Sequence, residues 1–391
     1  CRHLPYNPSS KSTSTQQRSV KRIFLVISLL WISDCGRCLL PAHFALSSQP
    51  EGSSPPLSLG SPQDLVLRRV RRKLLLRMSA MLMARRNSAL AGSAPADISR
   101  DLVDTTQITV TKTGDAKHVN QFEVLRDLGK GSFGKVKLVK DRETGELFAM
   151  KVLNKSVLKK KRMGSRNMMQ DVEDEIRVMK MLDHPRLVRI YEVMDSPEYH
   201  KIFLRMDFMA GGQTLPTTAD GGPCEPLAEA VARRHFRDLV DGLEWLHEHG
   251  IVHRDIKPEN LLKAADGSVK IADFGTAHRM GVNGAGDMLS RSAGTPAFTA
   301  PEACAEGEYR GQPADVWAAG VSLFMFTHGR CPFMSANIAG IYQVIRQEEP
   351  VIDAPVSADC RDLLARLLVK DPAARITIPE IRQHPWMLAD D

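Results

Sequence analysis

Ile251-Val252-His253-Arg254-Asp255-Ile256-Lys257-Pro258-Glu259-Asn260 opens a stretch that continues through Asp273-Phe274-Gly275 and ends at Ala300-Pro301-Glu302. Two carboxylates, a lysine and an amide stand in it at short fixed spacings: Asp255, then Lys257, Asn260 and Asp273. Phosphoryl transfer asks little covalent work of a protein. It needs a carboxylate near the attacking hydroxyl, oxygen ligands for a metal and cations on the phosphates. This stretch supplies most of that set, with Asp255 to orient the hydroxyl and accept its proton, Asn260 and Asp273 to hold Mg²⁺, and Lys257 to neutralise charge on the moving group. Each short string arises often by chance, whereas all of them in order do not.

Upstream, Gly129-Lys130-Gly131-Ser132-Phe133-Gly134-Lys135-Val136 has the spacing G-x-G-x-x-G-x-V, in which missing side chains let backbone amides lie close over nucleotide phosphates. A chance glycine turn or a dinucleotide fingerprint competes with that reading, but here an alternating strand follows the glycines where a dinucleotide fold wants a helix. With Leu128 before it, this segment is the expected ATP-phosphate cover. Phe148-Ala149-Met150-Lys151 then ends a strand on a lysine placed to hold the α- and β-phosphates. A lysine closing a strand is otherwise usually just solvated.

Lys151 needs an acidic partner, and the next helical segment offers Glu173, Asp174 and Glu175. Glu175 is the choice that leaves Ile176, Met179 and Leu182 packing inward, with Pro185 ending the segment; an exposed charged face is the alternative. Met206-Asp207-Phe208-Met209, before Gly211-Gly212, reads as a strand passing into a connector. The backbone groups of Asp207 and Met209 are expected at the adenine edge.

Strand patterns at Phe122–Leu125, Lys135–Val139, Glu146–Val152 and Ile202–Phe208 precede helical patterns at Leu227–His249 and through 313–386. Strands first and helices later predict an α+β protein with a small sheet lobe and a larger helical lobe. The net charge of +7 is uneven, because residues 1–100 hold 15 Lys and Arg against 4 Asp and Glu. Residues 1–117 are therefore expected to be a disordered basic extension, with a Pro/Ser/Gly-rich linker at 50–63. Its charge allows membrane or nucleic-acid contact, but no nucleic-acid motif is present and a solvated tail is the plainer reading. The apolar run 23–32 is too short to span a bilayer and long enough for a signal h-region. A secretory route conflicts with chemistry that draws on cytosolic ATP. Seven cysteines without a dense framework indicate reduced thiols and a cytoplasmic protein; Cys35 and Cys38 lack the second ligand pair that zinc wants.

With these residues in hand, the chain resembles the eukaryotic protein kinase superfamily over residues 122–387, with 122–209 as N-lobe and hinge and 210–387 as C-lobe. Lys257 in the catalytic loop looks like the serine/threonine branch. Gly294-Thr295-Pro296-Ala297-Phe298-Thr299-Ala300-Pro301-Glu302, Asp315-Val316-Trp317-Ala318-Ala319-Gly320-Val321, Cys331-Pro332-Phe333-Met334 and His384-Pro385-Trp386 look like the calcium/calmodulin-dependent protein kinase kinases. The resemblance implies an N-lobe of five antiparallel strands with one main helix, and ATP and Mg²⁺ as cofactors. It also implies protein substrates, among them the activation-loop threonine of AMP-activated-type or calmodulin-dependent-type kinases. By the same resemblance Thr295 touches Asp255 and Lys257, and Glu302 pairs with Arg375.

Three departures limit what is carried over. The chain stops at Asp391, so calmodulin control is not expected of it. The family's Arg/Pro-rich insert is replaced by 158–166, basic but without proline. Where many kinases carry the activation-loop phosphate that binds the catalytic-loop arginine, this chain has Arg291, which cannot be phosphorylated and would repel Arg254. Activity without phosphorylation there is expected, with Ser290 and Ser292 as flanking candidates. Two other readings stay open: a calmodulin-kinase-like enzyme with basic-motif substrates, and a pseudokinase scaffold. The second is weakened by the presence of Lys151, Glu175, Asp255, Asn260 and Asp273 together.

Overall fold

Alternating apolar residues on both sides of Met150 leave the strand Leu147–Asn154 buried along nearly its whole length, which places it at the centre of a sheet. The computed structural model of the protein describes residues 102–130, 134–160, 162–163, 166–216, 224–280, 288–290 and 293–390. They fall within one unit, Pro95–Asp391. Its first strands are β1 (Val103–Thr105), β2 (Val110–Thr113), β3 (Ala116–Val119), β4 (Phe122–Lys130), β5 (Gly134–Asp141) and β6 (Leu147–Asn154). After helix α1 (Lys155–Lys160) come the short strands β7 (Arg162–Met163) and β8 (Arg166–Asn167). Helix α2 (Met168–Met179), β9 (Ile190–Asp195) and β10 (Lys201–Asp207) complete this half.

The main sheet has eight strands in the order β1-β9-β10-β6-β5-β4-β3-β2. This corrects the expected five. It also corrects the all-antiparallel expectation, because β1 runs parallel to β9, Val103 opposite Glu192. The three added strands come from residues 103–119, most of which the sequence reading left in a disordered extension. Their turn signal was present: Gly114 takes a left-handed φ of 60° at the β2–β3 hairpin, where glycine is favoured. Val119 joins Phe122, Phe148, Met150 and Phe203 in a buried cluster, so the polar texture of Thr111-Lys112-Thr113 belongs to an outer edge of a sheet that is apolar further in. The run 23–32, Cys35 and Cys38 lie outside the described residues.

The second half is helical around α3 (Glu229–Glu248) and α4 (Gly311–His328), followed by α5 (Ile338–Gln347), α6 (Ala358–Leu367) and α7 (Ile378–Gln383). Helix α4 is buried almost all round, as a helix apolar on every face must be. It ends at Gly329, whose left-handed φ of 66° lets its N–H donate to the Met325 carbonyl. Between α3 and α4 the chain makes the paired strands β11 (Leu261–Lys263), which follows Asn260, and β12 (Val269–Ile271), which leads to Asp273. Among the described residues no helix is long and apolar enough to cross a membrane.

His235 of α3 is buried edge-on to Phe326, and among the described residues its Nδ1 has no hydrogen-bond partner. Burial, helped by Lys263 and Arg234, pushes its pKa down to about 4. Because the folded value lies below the ordinary one near 6.5, the neutral ring contributes stability above pH 6.5 that is lost as pH falls towards 4. The drop in melting temperature between pH 7 and pH 4.5 should thus be smaller for His235→Gln than for the unaltered chain. Circular dichroism melts at the two pH values check this, and equal drops would remove the assignment.

Candidate active site

Strand alternation points Lys151 of β6 at α2, and α2 turns Glu175 towards it. Their side chains meet at 2.5 Å with both nearly sealed from solvent. Asp273 Oδ1 lies 3.8 Å from the same ammonium. Burial works against the Lys151 charge, but the carboxylates of Glu175 and Asp273 outweigh it and raise its pKa. The lysine is therefore charged and aimed. Of the three acidic candidates on α2, Glu175 is the one buried here.

The glycine turn joins β4 to β5, with Gly129 opposite Val136 and Lys130 opposite Lys135 in register. A Cβ on Gly134 would sit 2.1 Å from the Val152 carbonyl, so only glycine fits there. Gly131, Ser132 and Phe133 lie outside the described residues; Leu128 and Val136 flank them, half-buried. At the connector, the Asp207 side chain is engaged by Tyr191 Oη at 2.6 Å, Lys270 Nζ at 2.7 Å and the Arg189 amide at 3.0 Å. These bonds fix the backbone that continues to Met209, whose carbonyl accepts from the Gly212 amide.

Asp255 is the best-held carboxylate of the site. Its Oδ1 accepts from the Thr295 amide and the Thr295 hydroxyl, each at 2.9 Å. Its Oδ2 accepts from Lys257 Nζ at 2.7 Å and Asn260 Nδ2 at 3.1 Å. Lys257 also reaches Thr295 Oγ1 at 2.8 Å, closing a three-residue ring. Asn260 Nδ2 donates to the Asp255 carbonyl as well, at 2.8 Å, which leaves Asn260 Oδ1 as its remaining acceptor.

Two non-glycine residues beside these groups, Arg254 (φ 67°) and Asp273 (φ 58°), are left-handed. Each such conformation costs on the order of 1–3 kcal/mol unless its surroundings enforce it. For the first, the enforcing group is Asp315 of α4, which accepts from the His253 and Arg254 amides at 2.9 Å each. Burial works against the Asp315 charge, yet the hydrogen bond and charge of His247, 2.9 Å away, with His253 close by, hold its pKa below the usual range. In the sequence Asp315 stands only within a stretch that carries the family likeness, with nothing local to mark this role. Sixty-odd residues separate it from the loop it clamps, and no spacing rule reaches that far.

Glu302 and Arg375 form a two-pronged pair, 2.8 Å on each arm, with the Arg375 side chain fully enclosed. The guanidinium also donates to the carbonyls of Pro313, Val369 and Lys370 and stacks over Trp317. Removing one member of such a buried pair typically costs 3–5 kcal/mol because the other charge is stranded. Arg375→Met should therefore lower the unfolding free energy by about that amount, read from urea titrations, with Arg375→Met/Glu302→Gln recovering part of it. A loss below about 1 kcal/mol, the range of an exposed pair, would contradict the enclosed geometry. Ser290 is exposed; Arg291 and Ser292 lie outside the described residues. Arg254 donates from Nε to the Thr276 carbonyl at 2.5 Å.

A buried lysine–glutamate pair, a glycine-rich turn with no room for a side chain at Gly134, and a carboxylate held by lysine, asparagine and threonine make a site for a nucleotide and a hydroxyl. The protein kinase domain model matches residues 122–387. This chain belongs to the protein kinase family. Serine/threonine-protein kinase ssp1 of Schizosaccharomyces pombe is 42% identical over 284 residues, covering 70% of this chain and 43% of that protein. Serine/threonine-protein kinase GRIK1 of Arabidopsis thaliana is 38% identical over 276 residues, covering 70% and 68%. A calcium/calmodulin-dependent protein kinase kinase of Caenorhabditis elegans is 35% identical over 323 residues, covering 77% and 59%. The kinase thus sits on the serine/threonine side of the family, and the chain spans about half the length of the curated relatives it matches.

Protein kinases as a family use ATP and Mg²⁺. The donor set here fits such an ion, since Mg²⁺ takes hard oxygen ligands, which Asn260 Oδ1 and the Asp273 carboxylate, the latter beside the Lys151 ammonium, can supply.

Proposed function

We propose that the chain transfers the γ-phosphoryl group of ATP to serine or threonine of protein substrates in the cytoplasm, and that its preferred substrate is the activation-loop threonine of another kinase. The observation that carries the first half is the Asp255–Lys257–Thr295 ring. It orients one carboxylate towards a hydroxyl and sets a cation beside it. Asp255 accepts the proton of that hydroxyl as it attacks, and Lys257 balances the charge gathering on the phosphoryl oxygens. Lys151, held by Glu175, would position the α- and β-phosphates, while Asn260 and Asp273 would hold a Mg²⁺ ion, which would supply positive charge to the phosphates. The second half is supported by the likeness to the C. elegans kinase kinase.

The test uses the full chain with ATP and Mg²⁺, scoring transfer onto a folded, unphosphorylated AMP-activated-type kinase domain and onto its activation-loop Thr→Ala form. Transfer that requires the loop threonine supports the proposal. Transfer indifferent to it indicates a kinase with basic-motif substrates, and none, with nucleotide still bound, indicates a scaffold.

Arg254 is already committed to the Thr276 carbonyl, and burial lowers its pKa despite Tyr309 and Asp315 nearby. A loop phosphate is not needed to hold it. Protein made without other kinases should keep at least half its turnover in the Ser290→Ala/Ser292→Ala form. Abolished turnover would show that a phosphate is required.

A further inference from the structure

One face of the main sheet serves the nucleotide site, and the other carries a cleft that the proposed chemistry does not use. Because Lys151 points at α2, its neighbours Met150 and Val152 stand on the opposite face. Phe203 of β10, register partner of Val152, joins them. Met150 and Phe203 are sealed in the buried cluster beneath, and the apolar surface open to a cleft of about 430 Å³ is that of Val124, Val152 and Val157. Its rim holds Lys117 of β3, Lys135 and Lys137 of β5 and Lys201 of β10.

Four ammonium groups brought together by three strands repel one another unless an anion meets them. Burial, then the charges of Lys201 and Lys137, lower the Lys117 pKa, which places these three within one another's field. Lys137 is paired with Asp127, whose carboxylate also feels Lys135. Lys117, Lys135 and Lys201 make no ion pair among the described residues. A rim in which Lys117, Lys135 and Lys201 lack an ion pair, beside apolar side chains, is complementary to a ligand that is acidic at intervals and apolar between them.

We infer that this cleft docks an acidic, amphipathic segment of a partner protein, its apolar side chains on Val124, Val152 and Val157 and its carboxylates on the lysine rim. A free phosphate would leave the apolar floor unused. A membrane surface is flat where this site is concave. An extended acidic peptide satisfies both parts, by the same combination of pockets and charge that peptide-recognition grooves use elsewhere. The inference does not depend on which substrate the kinase prefers, since the site lies on the sheet face away from the nucleotide.

The experiment titrates the full chain against a short fluorescein-labelled peptide alternating Glu with Leu and Phe, followed by anisotropy at low and high salt. The same titration is run with a Glu/Ser peptide of equal charge, and with vesicles of phosphatidylcholine and phosphatidylserine. The amphipathic peptide is expected to bind, to weaken with salt, and to lose about tenfold or more in affinity in Lys117→Glu/Lys201→Glu, whose binding of a fluorescent ATP analogue is unchanged. Lys117→Ala/Lys201→Ala should lose less, in the same direction. Equal affinity for the Glu/Ser peptide would reduce the cleft to a diffuse basic patch and overturn the inference. So would unaltered peptide binding in the Glu variant, or lysine-dependent binding of vesicles without binding of the peptide.

Discussion

Asp255→Asn should lower turnover by about 10³–10⁴-fold, the upper range for loss of a positioned general base. Two effects combine in this one substitution. The amide cannot take the hydroxyl proton, and it is also a misfit where it stands. Oδ1 now accepts from the Thr295 amide and hydroxyl, and Oδ2 from Lys257 and Asn260. Whichever oxygen becomes NH₂ meets donors on its own side, so the ring through Lys257 and Thr295 opens. Nucleotide affinity should change little, because the charged group that faces the phosphates is Lys151, bound to other partners. Steady-state rates alongside titration of a fluorescent ATP analogue separate the two readouts. A variant that turns over within tenfold of the unaltered chain would falsify the role given to Asp255.

Lys151→Met should cut turnover by at least about 10²-fold and also destabilise the fold, by roughly the 3–5 kcal/mol that a stranded buried charge costs. Glu175 is 3% exposed, and among the described residues one of its oxygens has no hydrogen-bond partner while the other accepts from Lys151. Adding Glu175→Gln to Lys151→Met removes the stranded charge. Stability should then return substantially while turnover does not, because the cation on the phosphates is still missing. Rates and urea midpoints of the two variants, measured together, check this. Recovery of turnover in the double variant would mean that Lys151 acts only through Glu175.

Most of the residues that could be read without a structure share one property: their spacing lies inside a single local element. Asp255, Lys257 and Asn260 stand within one loop, and Gly129 to Val136 within one turn, so chain geometry alone holds them near one another. Lys151 and Glu175, 24 residues apart, were joined by strand and helix patterns, which told which side of α2 faces inward. The α+β order of strands and helices was legible in the same way, because the two periods are carried by neighbouring residues. The strands within 103–117 escape a sequence reading because a polar edge strand has little apolar alternation of its own; its partner supplies the burial.

Contacts over longer separations were decided elsewhere. Thr295 reaches Asp255 across 40 residues, Asp315 reaches Arg254 across 61, and Arg375 reaches Glu302 across 73. The first and last were expected only through family likeness, and the middle one not at all. The lysine rim at the outer face of the sheet belongs with these, since Lys117, Lys135 and Lys201 come from three strands whose register alone brings them to one cleft. By itself the sequence determined which chemical groups the site contains and the local elements that carry them, because both follow from spacing along the chain. Only the tertiary structure decided which distant side chains hold those groups in place, because burial of the helical core and pairing of the strands, which no local pattern encodes, set those distances.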